Sequence, residues 1–262
     1  MIISKSSVAV ALFMMLVSLV FIRSAWAGDY QKGAWTTASP APTERTEVVA
    51  AAIGSKIYVV GGFNKPNLQN ALKFAISNDV EVYDAATDTW STATPLPEGR
   101  HHAGIATLNG MLYVIGGFTK SMLSVWHAVA TVYQYNPVTQ AWRELAPMPT
   151  ARGALGVAVH QDRLYAIGGY DGKNNSGAVE IFDPQTNTWS SGTSMPAPRD
   201  HLAVVAAGNR IYAIGGRPEL DYHRNMATVE EYDPQTQQWR AHANLPTPRS
   251  GIAAGVIDEW IY

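Results

Sequence analysis

The chain's 262 residues carry 19 basic and 21 acidic side chains, for a formal net charge of −2, and 47% are hydrophobic. That balance excludes the strongly basic surface on which nucleic-acid binding rests. The absence of cysteine excludes disulfide staples, thiolate metal ligands and a Cys nucleophile, so stability has to come from burial.

At the N-terminus, Lys5 precedes an apolar run from Val8 to Ile22, followed by Arg23 and Ala25-Trp26-Ala27 before Gly28. This is the order of a secretory signal peptide, residues 1–27, with a small-x-small cleavage site. Cleavage after Ala27 leaves a mature chain from Gly28 with a net charge near −4, exported to the periplasm or the extracellular space. An uncleaved membrane anchor is the alternative, but the run is short of the roughly 20 residues a bilayer span needs.

From Trp35 onward one ruler applies: a Trp, an Arg ten residues later, a Gly-Gly pair sixteen after that, and an aromatic seven before the next Trp. The marks are Trp35, Arg45, Gly61 and Tyr83; Trp90, Arg100, Gly116 and Tyr135; Trp142, Arg152, Gly168 and Phe182; Trp189, Arg199, Gly215 and Tyr232. Trp239 and Arg249 open a fifth cycle. All length variation falls between Gly-Gly and the aromatic. Constant spacing predicts packed framework, and elastic spacing predicts exposed loop.

Each cycle predicts four strands. Small and β-branched runs after the Arg (103–106, 153–159, 202–206 and 251–256) suit a crowded first strand. A hairpin is expected at Gly54-Ser55, Asn109-Gly110, Gln161-Asp162, Gly208-Asn209 and Asp258-Glu259. The second strand is an apolar run such as Leu112-Tyr113-Val114-Ile115, ending on Gly-Gly, where something must come too close for a Cβ. The third carries segments such as Val179-Glu180-Ile181-Phe182, and Asp-Pro or Asn-Pro turns lead to the fourth, which carries the Trp. Four-stranded sheets of this size cover their faces by stacking radially, with Trp and Tyr packed between neighbours.

The Tyr-x-x-Gly-Gly strand, the Val-Glu-x-Tyr-Asp-Pro-x-Thr-x-x-Trp segment and the Met-Pro-x-x-Arg link resemble the kelch repeat, over Trp35 to Tyr262. The resemblance implies an all-β kelch propeller over 28–262. Counting from Arg249, the next Gly-Gly falls due beyond Tyr262. The expectation is therefore four complete blades plus partial first and last ones, a C-terminally truncated ring that needs about 70 more residues to close with six blades, or only the rest of the current blade to close with five.

In the kelch family the first strand is innermost, which places Arg45, Arg100, Arg152, Arg199 and Arg249 near one mouth of the channel. There they could grip an anion, with Arg217 assisting after its Gly-Gly, as in some ubiquitin-ligase adaptors. Alternatively each Arg ties blades together through backbone carbonyls or carboxylates. His102 and His201 stand two residues after a repeat Arg, with His101 and Asp200 beside them. A metal needs three or four converging ligands, so no metal and no cofactor are expected.

The elastic loops supply Trp126, His127, Tyr170, Asp171, Asp221, Tyr222, His223 and Arg224 as recognition groups. The leading reading is a monomeric, exported, non-catalytic scaffold binding a protein, peptide or glycan, with an anionic ligand suited to the Arg row. The alternative is a periplasmic sugar isomerase or mutarotase resembling the sialic-acid epimerases, with His102, His201, Glu180 or Glu230 as nominal proton-transfer groups.

Overall fold

The computed structural model describes residues 36–64, 76–122, 124–218, 221 and 223–262. The predicted leader, Trp35, positions 65–75 of the first elastic loop and Tyr222 lie outside the described residues. Ser39–Tyr262 form one unit; Met1–Ala38 form another, in which residues 36–38 carry no regular element.

No described residue is helical. Four antiparallel four-stranded sheets follow one another along the chain, each strand paired with its sequence neighbour in the sheet. Blade 1 comprises Val49–Ile53, Lys56–Val60, Val80–Asp84 and Thr89–Thr92. Blade 2 comprises Gly104–Leu108, Met111–Ile115, Val132–Asn136 and Ala141–Leu145. Blade 3 comprises Gly156–His160, Arg163–Ile167, Val179–Asp183 and Thr188–Gly192, and blade 4 Ala203–Ala207, Arg210–Ile214, Val229–Asp233 and Gln238–Ala241. The fifth cycle adds the pair Val256–Ile257 and Trp260–Ile261, which packs against blade 4. First strands begin later than the apolar runs suggest, because the residues just after each Arg are taken up by a left-handed turn.

Two marks of the ruler have a direct physical cause. The interval of seven places the aromatic and the Trp directly opposite across strands three and four: Tyr83 with Trp90, Tyr135 with Trp142, Phe182 with Trp189 and Tyr232 with Trp239. Their ring centroids lie 4.8–5.1 Å apart, a stabilising cross-strand pair. Each indole N–H then reaches the chain that enters its blade: Trp142 donates to Thr94 O at 2.8 Å, Trp189 to Ala146 O and Trp239 to Thr193 O at 2.9 Å.

The Gly-Gly pair is where blades touch. Its second N–H donates to the carbonyl of the next cycle's Arg, at 2.7 Å for Gly62 to Arg100 and 2.8 Å for Gly117 to Arg152. The first glycine lies over that same carbonyl: a Cβ on Gly61 would sit 2.2 Å from Arg100 O, and one on Gly116 2.4 Å from Arg152 O. Both glycines have positive φ, which adds the usual left-handed penalty for any other residue.

The five hairpins turn where expected. Gln161 and Asp162, with φ of 47° and 58°, adopt the same left-handed pair as Asn109-Gly110, so strand twist overrides residue preference there. Asp84, Asn136, Asp183 and Asp233 each accept a hydrogen bond from the amide two residues on; Asp84 does so without a following Pro. The apolar core lies between blades. Tyr58, Val60 and Val82 pack with Leu112, Val114 and Tyr135, and equivalent layers join blades 2 and 3 and blades 3 and 4.

Candidate functional site

The repeat arginines end inside the blades. The side chains of Arg45, Arg100, Arg152 and Arg199 are 0–1% exposed. Arg199 is the most fully engaged: Nε donates to Gly215 O at 2.7 Å, Nη2 to Ala213 O at 3.0 Å, and Nη1 meets Glu230 at 2.6 Å. Arg45 pairs with Glu81 at 2.7 Å and Arg152 with Glu180 at 2.8 Å. These carboxylates come from the third strand of the same blade, where they compensate a buried charge that would otherwise be strongly destabilising.

Blade 2 solves the problem differently. Tyr133 stands where the other blades have Glu, and the Arg100 guanidinium sits 4.8 Å from its ring centroid. Arg100 also donates to Gly116 O at 2.9 Å and pairs with Glu98 at 3.2 Å.

The anion-gripping row is therefore placed out of reach of a ligand at these four positions; their donors serve their own blades while the Arg main-chain carbonyls serve the neighbours. Glu180 and Glu230, nominal proton-transfer groups in the sequence reading, are buried in the same ion pairs. Arg249, in the fifth cycle, is exposed.

Two residues beyond each Arg lies a different row: Glu47, His102, Ala154, His201 and Gly251, all left-handed, with φ between 52° and 61°. Their backbones hand hydrogen bonds from blade to blade. His102 N donates to Glu47 O, Ala154 N to His102 O, His201 N to Ala154 O and Gly251 N to His201 O, at 2.8–3.3 Å. All five line a cavity of about 230 Å³. Ala154 is small, so His102 and His201, from blades 2 and 4, approach across it with ring centroids 4.8 Å apart. Glu47 supplies a third group that the sequence reading did not weigh; its position two residues after Arg45 was the available signal. Ligand atoms of Glu47, His102 and His201 lie within 4.8 Å of one another.

A polar frame holds both imidazoles. His101 Nε2 donates to Val125 O at 2.8 Å, and the His101 and His102 Nδ1 atoms meet at 2.6 Å. His102 Nε2 lies 2.9 Å from Glu47 Oε2. His201 Nδ1 hydrogen-bonds Asp200 Oδ1. Arg217 donates to that same oxygen through Nε at 3.1 Å and to His201 Nε2 through Nη2 at 3.1 Å. Burial pushes the His101 imidazolium down to about 4 and lowers His102 as well, while the contact with His102 holds the Glu47 carboxyl below its ordinary range. Of the predicted site residues, then, the structure brings together His102, His201 and Arg217, and separates them from the four buried arginines.

The elastic loops rise at the same end. Isolated bridges tie them to the residues that follow the arginines: His101 to Phe118, Gly153 to Tyr170 and Asp200 to Arg217. Trp126, 37% exposed, packs edge-on against His101 and Phe118 at 5.0 and 5.3 Å between centroids. Tyr170, Lys173, Asn174, Asn175, Pro198 and Pro218 line a second cavity of about 400 Å³. Asp171 shapes that loop by accepting hydrogen bonds from the amides of Lys173 and Asn174, both at 2.7 Å. No helix among the described residues is long and apolar enough to cross a membrane.

Comparisons with known proteins agree with this architecture. The KLHDC2/KLHL20/DRC7 Kelch-repeats domain matches residues 21–148 and 95–262. Kelch-like protein terF of Aspergillus terreus is 32% identical over 127 residues, 48% of this chain and 27% of that protein. Human kelch-like protein 25 is 35% identical over 133 residues, 49% of this chain and 21% of that protein. The chain thus spans about a quarter or less of the length of these curated relatives. The solved structure of YjhT superposes with a TM-score of 0.71 at 17% identity, covering 86% of this chain and 78% of that one, a likeness of fold alone. With the ruler, the blades and the family match in accord, the chain belongs to the kelch-repeat family of β-propellers.

Proposed function

We propose that this chain is an exported, non-catalytic binding scaffold that receives a protein or peptide partner at the loop-bearing end of the propeller. The observation that supports it is a division of labour within each repeat. The constant Arg, Trp and Gly-Gly positions are consumed in bracing each blade and joining it to the next, and the side chains left accessible at the mouth stand on loops of variable length. Rigid frameworks with variable loops are the usual construction of recognition surfaces. The accessible groups are the Trp126 indole, Tyr170 and the amide-rich Lys173-Asn174-Asn175 turn around its 400 Å³ cavity, a combination of stacking faces and hydrogen-bonding groups that suits an extended peptide. Export rests on the leader pattern ending at Ala27.

A peptide library displayed against the full chain tests the binding reading. Selected peptides should share a consensus and lose about tenfold or more in affinity on Trp126→Ala or Tyr170→Ala, as a central aromatic contact does. Absence of enrichment, or binders indifferent to both substitutions, would overturn it. A glycan array run on the same protein separates the sugar-binding alternative. Export has its own check: intact mass of the chain made with its leader should correspond to a protein beginning at Gly28.

A further inference from the structure

We propose that Glu47, His102 and His201 form a binding site on the channel axis for a borderline divalent transition metal of the Zn2+ class. The inference goes beyond the scaffold reading and does not depend on it. It begins with geometry. His101 Nε2 donates to the carbonyl oxygen of Val125 at 2.8 Å, and the His101 and His102 Nδ1 atoms meet at 2.6 Å, so the Nδ1 side of His102 is held by a ring that a backbone carbonyl fixes in turn. His102 Nε2 is thereby turned toward the Glu47 carboxylate, 2.9 Å away. Without an ion the two share a hydrogen bond, which a bound metal replaces.

The second imidazole is prepared in the same way. Its Nδ1 is engaged by Asp200 Oδ1, which makes Nε2, shared with Arg217, the candidate donor atom. Histidines that ligate metals usually have their other nitrogen fixed in this manner by a carboxylate or carbonyl, which sets the tautomer and raises basicity. Here Asp200 acts directly on His201, and Val125 acts on His102 through His101. The three candidate ligand atoms come within 4.8 Å of one another at the wall of a 230 Å³ cavity, so an ion has space and retains open positions for water or an anion.

The donor set selects the class of ion. Two imidazoles and one carboxylate without a thiolate suit Zn2+, Ni2+ or Fe2+, whereas Ca2+ requires six to eight oxygens. Arg217 is the counterweight, because its Nη2 occupies the His201 lone pair at 3.1 Å. Metal capture replaces that hydrogen bond, while the Arg217 Nε contact with Asp200 at 3.1 Å can persist.

The test uses the full chain stripped with chelator and titrated with ZnCl2 by calorimetry, and with Co2+ by visible absorption. A single site per chain is expected. Glu47→Gln, His102→Asn and His201→Asn should each weaken it about tenfold or more; Asn is chosen because it tolerates the left-handed backbone of this row. His223→Asn, on an exposed loop residue, should leave binding unchanged. No stoichiometric binding, or binding that survives the His102→Asn/His201→Asn double substitution, would overturn the proposal. Should the variants fail to fold, imidazole nitrogen shifts in the unmodified chain decide. Zn2+ must move the Nε2 signals of His102 and His201, and selective perturbation of other histidines instead counts against the site.

Discussion

Two rows of residues cross the blades two positions apart, and they follow opposite rules. The Arg45, Arg100, Arg152 and Arg199 row keeps its residue type because the side chain itself is the structural part, buried and bonded within its blade. The Glu47, His102, Ala154, His201 and Gly251 row keeps only its backbone, a left-handed turn that passes a hydrogen bond to the next blade. Its side chains are left over for the axial cavity and vary freely. Constancy in this repeat marks internal service, and variety at a constant backbone geometry marks the surface available for chemistry.

The most severe way to probe the difference is to remove a buried guanidinium. Arg199→Ala should destabilise the protein by about 3–5 kcal/mol, because Glu230 is left charged and buried. Urea unfolding measures it, and a loss below about 1 kcal/mol would show that the row is not structural. Blade 2 sharpens the point. Arg100→Ala leaves a neutral Tyr133 behind in place of a stranded carboxylate, so its loss should be smaller than that of Arg199→Ala by about 1–3 kcal/mol. Equal losses would assign the stabilisation to the carbonyl contacts alone.

Glycine positions give the next step down. Gly116→Ala and Gly208→Ala both place a Cβ at positive φ, at a cost of about 1–2 kcal/mol. The first also sets that Cβ 2.4 Å from Arg152 O, while the second meets nothing within 4 Å. Thermal unfolding should rank Gly116→Ala clearly lower in Tm. The smallest effect belongs to the axial row. Ala154→Gly relieves a left-handed alanine and adds chain entropy to the unfolded state, so stability should change by less than about 1 kcal/mol. A larger change would mean that the Ala154 side chain serves the framework after all.

Much of the framework is legible in the sequence because its contacts are repetitive. The interval of seven is the cross-strand ring pair, and Gly-Gly is the approach of a neighbouring carbonyl. The five hairpins sit where spacing puts them even at Gln161-Asp162, which has no strong turn preference of its own. The destination of the arginines was not legible, since a row of identical cations suits a ligand ring and an internal brace equally well. Only burial and the Glu81, Glu180 and Glu230 partners distinguish the two. Tyr133 shows the same limit, as its ring contact with Arg100 in place of a third-strand carboxylate emerges only once the strands are placed.

The chain alone determined an all-β repeat fold, its strand order, its turns and the distinction between framework and loop, because those follow from local spacing and from contacts every repeat makes. Tertiary structure alone decided which side chains meet on the axis. Glu47, His102 and His201 are separated by 55 and 99 residues and share no motif. They converge because successive blades rotate equivalent backbone turns about one line, and a small Ala154 leaves the gap through which they face each other.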